Sequence, residues 1–315
     1  MRADARSAGA RPRAGDLRTV HERVLDWYAD AARPLPWRSP GTTPWGVLVS
    51  EVMAQQTPVA RVEPVWRTWL ERWPTPAALA AEPPGEAVRA WGRLGYPRRA
   101  LRLHEAAGVI LARHGGAVPS DLEALLALPG VGEYTAAAVA CFAFGQATTV
   151  VDTNVRRVLA RVLTGRALPP PHPTTAERAI AEQARPALTA DAVVWNVAAM
   201  ELGALVCTAR APRCEQCPVA ELCAWRRAGY PAYDGPPRRG QPWEGTDRQC
   251  RGVLLQTLRD SPGPVDSATL AAAWPDEPQR MRCLDALVAD GLAEPLDGGR
   301  VRLPAELPEP RHPAS

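Results

Sequence analysis

Four cysteines lie within seventeen residues and form the strongest chemical signal in the sequence. Their spacing is C-x6-C-x2-C-x5-C, from Cys207 through Cys214 and Cys217 to Cys223. Four thiolates in one loop can hold either a tetrahedral zinc ion or a [4Fe–4S] cluster. Structural zinc sites commonly pair two C-x2-C segments, and this loop contains one. The spacing leaves both metals open and favours iron–sulfur.

A second candidate site is the glycine-containing turn Leu128-Pro129-Gly130-Val131-Gly132, which separates two predicted helices. Glycines at alternate positions let backbone N–H groups converge at the start of the second helix, where they can bind a phosphate without lysine. An ordinary Pro-Gly turn is the alternative when this segment is taken alone. The helix on each side favours a helix-hairpin-helix element that binds DNA.

Two carboxylates are candidates for acid–base chemistry. The helical neighbours of Glu51 include Val47 and Leu48, so its largely apolar face should raise the pKa of Glu51. Asp152 has the position of a helix N-cap. Each carboxylate also has an ordinary structural interpretation. Glu51 could be a solvent-facing residue at a helix edge, and Asp152 could serve only as a helix cap. Cleavage of a glycosidic bond requires such a pair, one protonated acid and one ionised carboxylate.

The basic residues restrict the mechanism, because all 37 of them are arginine and none is lysine. Arginine keeps its proton in proteins and cannot supply a nucleophilic amine. A lysine Schiff base is therefore excluded, apart from one formed by the chain's own N-terminus. The net charge of +3 does not by itself predict nucleic-acid binding.

The composition is that of a globular protein, with 46% hydrophobic and 23% charged residues among 315. No apolar run approaches the roughly 20 residues that a membrane helix needs, and no secretory signal is recognisable at the N-terminus. Seven cysteines without such a signal indicate a reducing compartment. We therefore expect a cytoplasmic protein without disulfides.

The elements that must position these residues are predicted to be helical almost throughout, from apolar spacing and from prolines at helix starts. The predicted helices span residues 17–33, 45–56, 59–72, 121–128, 134–144, 153–163, 191–206, 247–259, 267–274 and 278–290. Short helices are also expected around Thr75-Pro76, Pro83-Pro84 and Tyr96-Pro97. A hairpin turn at Asp297-Gly298-Gly299 follows the last helix.

These elements divide the chain into five segments. Residues 1–15 are expected to be a disordered leader, and residues 304–315 a disordered tail. Residues 16–225 form the main domain, and a Pro/Gly/Arg-rich linker covers 226–245. Three helices and a hairpin at 246–303 indicate a winged-helix-like domain.

Six motifs and the cysteine loop occur together in this chain. The motifs are Leu35-Pro36-Trp37-Arg38, Ser50-Glu51-Val52-Met53-Ala54-Gln55-Gln56-Thr57, Leu94-Gly95-Tyr96, Leu128 to Ala136, Val151-Asp152-Thr153-Asn154-Val155 and Met200-Glu201-Leu202-Gly203-Ala204. Jointly they resemble the helix-hairpin-helix DNA glycosylases, and within them the adenine DNA glycosylases (the MutY family). The resemblance covers about residues 17–225. It implies an all-α helix-hairpin-helix glycosylase fold with an iron–sulfur cluster loop.

The resemblance also implies roles for individual residues. Glu51 matches the general acid that protonates the flipped adenine at N7, and Asp152 matches the carboxylate that stabilises or covalently traps the cationic sugar. Tyr134 and Asn154 match residues that support these two. Endonuclease III-like enzymes carry at position 134 a lysine that attacks the sugar and cuts the strand. With tyrosine there and no lysine elsewhere, we expect a monofunctional hydrolase.

Binding roles follow from the same resemblance. The positions that match the lining of the adenine pocket are Arg33, Leu35, Trp37 and Glu201. Gln55 and Gln56 match the segment that is wedged into the duplex beside the lesion, although Ala54 replaces the usual bulky leucine. The DNA-binding hairpin residues are Leu128, Gly130, Val131 and Gly132. The cluster ligands are Cys207, Cys214, Cys217 and Cys223.

The C-terminal part departs from the better-known relatives, which end in a NUDIX-like domain that reads 8-oxoguanine with a Phe-Ser-His loop. This chain has only two phenylalanines, Phe142 and Phe144, so that loop is absent. The winged-helix-like unit stands in its place. We expect this unit to add salt-sensitive, sequence-independent DNA affinity through its arginines. Those arginines are Arg248, Arg251, Arg280 and Arg282.

The expected function is removal of adenine mispaired with 8-oxoguanine or guanine in double-stranded DNA. We expect a monomer that acts at the nucleoid and has no membrane partner. Another helix-hairpin-helix glycosylase activity, on mismatched thymine or oxidised pyrimidines, is one alternative. A non-catalytic iron–sulfur DNA-binding protein is the other, and the presence of both Glu51 and Asp152 argues against it.

Overall fold

A computed structural model describes the chain at residues 14–236 and 243–307. The predicted leader and tail fall mostly outside these ranges, at residues 1–13 and 308–315, and so do residues 237–242 of the predicted linker. The chain divides into two compact units. The first unit combines Met1–Arg38 with Ala136–Arg238, and the second combines Ser39–Thr135 with Arg239–Ser315.

Helices dominate the described residues, which confirms the all-α prediction. In chain order they are α1 (Ala14–Ala31), α2 (Pro44–Ala54), α3 (Val59–Arg72), α4 (Pro76–Ala80), α5 (Pro84–Trp91), α6 (Arg98–His114), α7 (Leu122–Leu126), α8 (Glu133–Phe144), α9 (Thr153–Thr164), α10 (Thr175–Ala184), α11 (Thr189–Leu205), α12 (Ala224–Arg227), α13 (Asp247–Asp260), α14 (Ser267–Ala273) and α15 (Glu277–Ala289). Strands β1 (Glu294–Leu296) and β2 (Arg300–Arg302) pair antiparallel. None of the helices in the described part of the chain is both long and apolar enough to cross a membrane.

The helices that carry the candidate carboxylates begin at residues whose side chains cap them. Thr43 accepts a hydrogen bond from the Gly46 N–H at 3.1 Å, and Pro44 occupies the first helical position of α2. Asp152 accepts from the Val155 N–H at 2.6 Å and starts α9, as the sequence predicts. These two caps fix where α2 and α9 begin.

Three helices differ from the sequence-based expectation, the shortest being α12, which lies where no helix is predicted. Helix α6 has 17 residues, although the prolines around Tyr96-Pro97 predict only short helices there. Helix α10 is not predicted at all, yet Thr174 and Glu177 form a capping box at its start. The Thr174 hydroxyl accepts from the Glu177 N–H at 3.2 Å, and the Glu177 carboxylate accepts from the Thr174 N–H at 3.0 Å. The S/T-x-x-E pattern was a readable signal for this helix.

The core of the first unit is formed where α1, α9 and α11 pack together. Val24, Val158, Trp195 and Leu202 are all less than 5% exposed in this core. Burial of these apolar side chains is the main force that holds the three helices together. The packing fixes α9, which starts after Asp152, against α11, which carries Glu201.

Tryptophans form the core of the second unit. The Trp69 ring meets Trp73 and Trp91 edge to face, with centroid distances of 4.7 and 5.6 Å. Trp45 of α2 donates from Nε1 to the Trp73 carbonyl at 3.0 Å. These contacts fix the helix that carries Glu51.

Residues 243–307 contain the three helices and the hairpin predicted for the winged-helix-like unit. They are fixed to α5 by main-chain and arginine contacts within the second unit. The Gly85 N–H donates to the Pro304 carbonyl at 2.8 Å. Arg259 donates from Nε to the Val88 carbonyl at 2.9 Å, and Arg89 donates from Nη1 to the Ser261 carbonyl at 2.8 Å. We call the reciprocal contacts of Arg89 and Arg259 the arginine clasp.

Candidate active site and iron–sulfur site

Glu51 is a buried carboxyl residue of the second unit. It is 6% exposed and lies in the last two turns of α2. The hydroxyl of Tyr134, the second residue of α8, donates a hydrogen bond to Glu51 Oε2 at 2.8 Å. The structure therefore brings together Glu51, which the resemblance matches to a general acid, and Tyr134, which it matches to a supporting residue.

The residues after Glu51 form an irregular turn, residues 54–57, which we call the wedge segment. Gln55 donates from Nε2 to the Thr135 hydroxyl at 3.0 Å. Gln56 is exposed and has φ of +53°, in the left-handed region that non-glycine residues rarely occupy. The two glutamines thus differ. The side chain of Gln55 is hydrogen-bonded to Thr135, whereas Gln56 is exposed to solvent.

The glycine-containing turn lies between α7 and α8. Leu128 and Val131 are buried and anchor it, whereas Gly130 and Gly132 are exposed. Gly130 has φ of +74°, and a Cβ there would lie 2.6 Å from Arg102 Cβ, so only glycine fits. The described structure leaves open space around the Cα of Gly132, at the start of α8. A DNA backbone can therefore approach the main chain at this point.

In the first unit, Asp152 holds two hydrogen bonds, one on each carboxylate oxygen. Oδ1 accepts from the Val155 N–H at 2.6 Å, and Oδ2 accepts from Asn154 Nδ2 at 2.7 Å. Burial raises the pKa of Asp152, and these hydrogen bonds oppose that rise. Each carboxylate oxygen can accept more than one hydrogen bond, so the capping role leaves capacity for a substrate group.

Arg157 connects Asn154 with the start of the cysteine loop. Its Nη2 atom donates to Asn154 Oδ1 at 2.8 Å and to the Gly203 carbonyl at 2.6 Å. Its Nε atom donates to the Cys207 carbonyl at 2.6 Å. A continuous chain of hydrogen bonds therefore runs from the Asp152 carboxylate to the main chain of the first cysteine.

The predicted pocket residues meet in the first unit around Glu201, which is only 1% exposed. Arg33 binds this carboxylate with two hydrogen bonds, at 2.7 and 2.5 Å, and Arg38 adds a third at 3.1 Å. Burial opposes ionisation of Glu201, but the hydrogen bonds and charges of the two arginines outweigh it and lower its pKa. Leu35 and Trp37 are also buried. Glu201 therefore holds two guanidinium groups in place.

The four cysteines line one recess in the first unit, together with Arg161 and Trp225. Arg161 donates to Cys207 Sγ at 3.3 Å and to the Thr208 carbonyl at 2.8 Å. Within residues 14–236 and 243–307, no three His, Cys, Asp or Glu side chains are placed to hold a single metal ion. Four cysteine side chains around one recess are the donor set that a [4Fe–4S] cluster requires.

The arginines predicted to bind DNA from the C-terminal unit are mostly engaged inside it. Arg251 pairs with Asp290, and Arg282 pairs with Asp247 at 2.9 Å. Residues 243–307 contain seven arginines and eleven carboxylates, a formal charge of −4. This charge balance argues against the predicted contribution of the unit to DNA binding.

The chain is similar to DNA repair proteins over most of its length. Residues 49–186 match the HhH-GPD superfamily of base excision DNA repair proteins, and residues 207–223 match the iron-sulfur binding domain of endonuclease III. An adenine DNA glycosylase of Mycobacterium tuberculosis (strain CDC 1551 / Oshkosh) is 53% identical over 290 residues, covering 90% of this chain and 93% of that protein. The chain belongs to the adenine DNA glycosylase family.

Solved structures confirm the fold expected of this family. A thermostable thymine-DNA glycosylase superposes with a TM-score of 0.60 at 28% identity, covering 68% of this chain and 98% of that one. A non-covalent complex of endonuclease III with DNA gives a TM-score of 0.60 at 25% identity, covering 69% and 98%. The helix-hairpin-helix glycosylase prediction is therefore confirmed.

The iron–sulfur prediction is confirmed as well. The match to the iron-sulfur binding domain begins and ends at the first and last cysteines of the loop. The cofactor of this adenine DNA glycosylase family member is a [4Fe–4S] cluster.

Sequence reasoning missed three arginines that organise the site in the first unit. They are Arg38, Arg157 and Arg161. Arg157 and Arg161 are 7% and 2% exposed and lie one helical turn apart on α9. Arg157 and Arg161 are four residues apart and lie on the face of α9 that also carries Val158 and Val162. This spacing was a signal that α9 buries two charged side chains.

Proposed function

We propose that this protein is a monofunctional adenine DNA glycosylase that removes adenine mispaired with 8-oxoguanine or guanine from duplex DNA. The hydrogen bond from Tyr134 to Glu51 carries this proposal. By the family resemblance, strand-cutting relatives carry a lysine amine at this position, where this chain has a tyrosine hydroxyl. With no lysine in the chain, base removal without strand cleavage is the chemistry that these residues support.

Glu51 serves as the general acid. It protonates adenine at N7, the bond from C1′ to N9 breaks, and the bonding electrons pass to the departing base. Tyr134 donates to one carboxyl oxygen and so orients the carboxyl group for proton transfer. Burial of the residue keeps competing water away from the acid.

Asp152 acts on the deoxyribose. Loss of adenine leaves an oxocarbenium-like cation, which an ionised Asp152 stabilises until water adds at C1′ and releases a proton. Asn154 and the Val155 N–H donate to the ionised carboxylate and therefore oppose the effect of burial on its pKa. Arg157 in turn orients the Asn154 amide.

Binding is divided among the remaining candidate residues. The main chain at Gly130 and Gly132 binds phosphate, and Gln55 and Gln56 enter the duplex beside the mispair. Around the extruded adenine, Glu201 fixes Arg33 and Arg38, while Leu35 and Trp37 supply apolar surface. The chain acts as a monomer on chromosomal DNA.

Cys207, Cys214, Cys217 and Cys223 hold the cluster. Their four thiolates would bind iron, and the bound group would cross-link the 207–223 loop. Arg161 orders the same loop by its hydrogen bonds to Cys207 and Thr208. The loop therefore stabilises the end of α11 and the carbonyl that Arg157 binds.

The deciding experiment is single-turnover excision on duplexes that contain A:8-oxoguanine, A:G, T:G or thymine glycol, each analysed with and without alkali. We expect adenine release from the first two and strand cleavage only after alkali. Glu51→Gln should lower the rate by at least about a hundredfold, the scale of general acid catalysis. Glu63→Gln removes a surface carboxylate of α3 and is the matched control. Preferred cleavage of T:G or thymine glycol would assign the alternative glycosylase activity instead.

A further inference from the structure

Arg99 of α6 binds the main chain at the end of α2. Its Nη1 atom donates hydrogen bonds to the carbonyl oxygens of Val52, Met53 and Gln55, at 2.8, 3.2 and 2.6 Å. The last carbonyls of an α-helix lack partners within the helix. One guanidinium group therefore satisfies the helix that carries Glu51 at the point where it turns into the wedge segment.

The second terminal nitrogen of Arg99 binds the far side of the same turn. Nη2 donates to the Thr57 hydroxyl at 3.1 Å and to the Gly95 carbonyl at 3.0 Å. Thr57 itself donates to the Leu94 carbonyl at 3.1 Å. Arg99 thus joins the wedge segment to the Leu94-Gly95 turn that precedes α6.

The chain geometry here depends on such a support. Gln56 and Tyr96 have φ of +53° and +48°, and Tyr230 is the one other non-glycine residue with positive φ in the described ranges. Left-handed conformations of these residue types persist only when surrounding contacts enforce them. Arg99 lies 5.4 Å from the Tyr96 ring centre and hydrogen-bonds the residue before Gln56.

Helix α2 also lacks the usual means of ending. Helices commonly finish with a left-handed glycine, which lets the last carbonyls find main-chain donors. Here Gln55 follows Ala54 with φ of −55° and ψ of 114°. Burial lowers the pKa of Arg99 to about 10, so the group remains charged at neutral pH and suits the negative end of α2.

We propose that Arg99 is a positioning residue that holds Gln55 and Gln56 in the conformation that enters DNA. This inference rests on the proposed function, because that function requires the wedge segment to enter the duplex. The requirement is geometric: a lysine would keep the charge but cannot direct donors to three carbonyls, a hydroxyl and a fourth carbonyl at once.

The test compares Arg99→Lys with Arg113→Lys, the same substitution at an exposed position of α6. Single-turnover excision is measured for adenine opposite 8-oxoguanine and for adenine opposite a tetrahydrofuran abasic analogue. The second duplex has no opposing base to separate, so extrusion of adenine needs less help. Arg99→Lys should slow excision ten- to a hundredfold on the first duplex, the order expected for a misplaced group, and less than about threefold on the second. Arg113→Lys should match the unsubstituted protein on both.

A second measurement does not depend on catalysis. In Glu51→Gln protein, 2-aminopurine placed beside the mispair should brighten on binding as the wedge unstacks it, and adding Arg99→Lys should abolish that signal. If Arg99→Lys fails to fold, Thr57→Val tests the same support by removing the hydroxyl that Arg99 binds. Equal slowing on both duplexes would show a merely structural role and overturn the inference, as would no slowing on either. If the unsubstituted protein excises no adenine but the Arg99-dependent brightening persists, the proposed function fails and the wedge support stands.

Discussion

The arginine clasp offers a direct test of whether residues 243–307 are a fixed part of the second unit or a separate DNA clamp. The perturbation is Arg259→Met, which keeps the apolar stem and removes the guanidinium group. In the structure that group donates to the Val88 carbonyl at 2.9 Å, near the end of α5. Arg89 makes the reciprocal contacts to the carbonyls of Arg259 and Ser261, at the end of α13.

The expected size of the effect follows from these contacts. A hydrogen bond from a charged group contributes about 1.5–3 kcal/mol. Burial lowers the pKa of Arg259 to about 10, which shows that holding the charge there has a cost that Met would not bear. We therefore expect a net loss of about 2 kcal/mol, equivalent to a fall in Tm of about 3 °C for a protein of this size.

The assay combines thermal unfolding followed by circular dichroism with the salt dependence of duplex binding. Arg300→Met is the control, because it removes one positive charge from an exposed position of the same unit. A DNA clamp would lose about 0.9 from the salt slope for each phosphate contact removed. We expect Arg259→Met to lower Tm and neither variant to change the slope. An unchanged Tm for Arg259→Met, or a reduced slope for both, would refute the reasoning.

The first unit yields three further expectations. Asn154→Ala removes a hydrogen bond that lowers the pKa of Asp152, so the acid limb of the single-turnover pH profile should move to higher pH; an unmoved limb would separate Asn154 from that ionisation. Gly203→Ala would place a Cβ 2.6 Å from Asn154 Cβ, so Tm and excision should both fall, whereas Gly108→Ala, with open space around it, should leave both intact. The purified protein should contain about four iron atoms per chain, and Cys217→Ser should lose iron and lower the unfolding temperature. One zinc per active chain would contradict the cluster assignment.

Features set by short stretches of sequence were predictable. Thr43-Pro44 and Asp152 start helices because a side-chain oxygen and a fixed φ act within one turn of the chain. The hairpin at Asp297-Gly298-Gly299 follows from turn chemistry in the same way, and Gly298 does have positive φ. The cysteine loop was predictable because all four ligands lie within seventeen residues.

Pairings between distant residues were not predictable from periodicity. Arg33 and Glu201 are 168 residues apart, and Arg89 and Ser261 are 172 apart. Helical spacing shows that a face is buried, but it does not identify which charge on another helix will meet it. An arginine within an apolar helical face also interrupts the hydrophobic periodicity, and its role is not evident until its carbonyl partners are located. For this reason the roles of Arg99 and Arg157 were not predicted.

Three arginines that are buried or partly buried share one role, which follows from the chemistry of the guanidinium group. Arg99 binds carbonyls at the end of α2, Arg157 binds carbonyls near the end of α11, and Arg259 binds one near the end of α5. Helix ends of this kind present several carbonyl oxygens in fixed directions, and a planar fork with five N–H donors can bind more than one of them. An ammonium group has three donors on a single atom and loses its charge more readily when buried. The absence of lysine therefore removes a nucleophile without weakening this scaffold, since the positions that need a buried cation need the geometry of arginine.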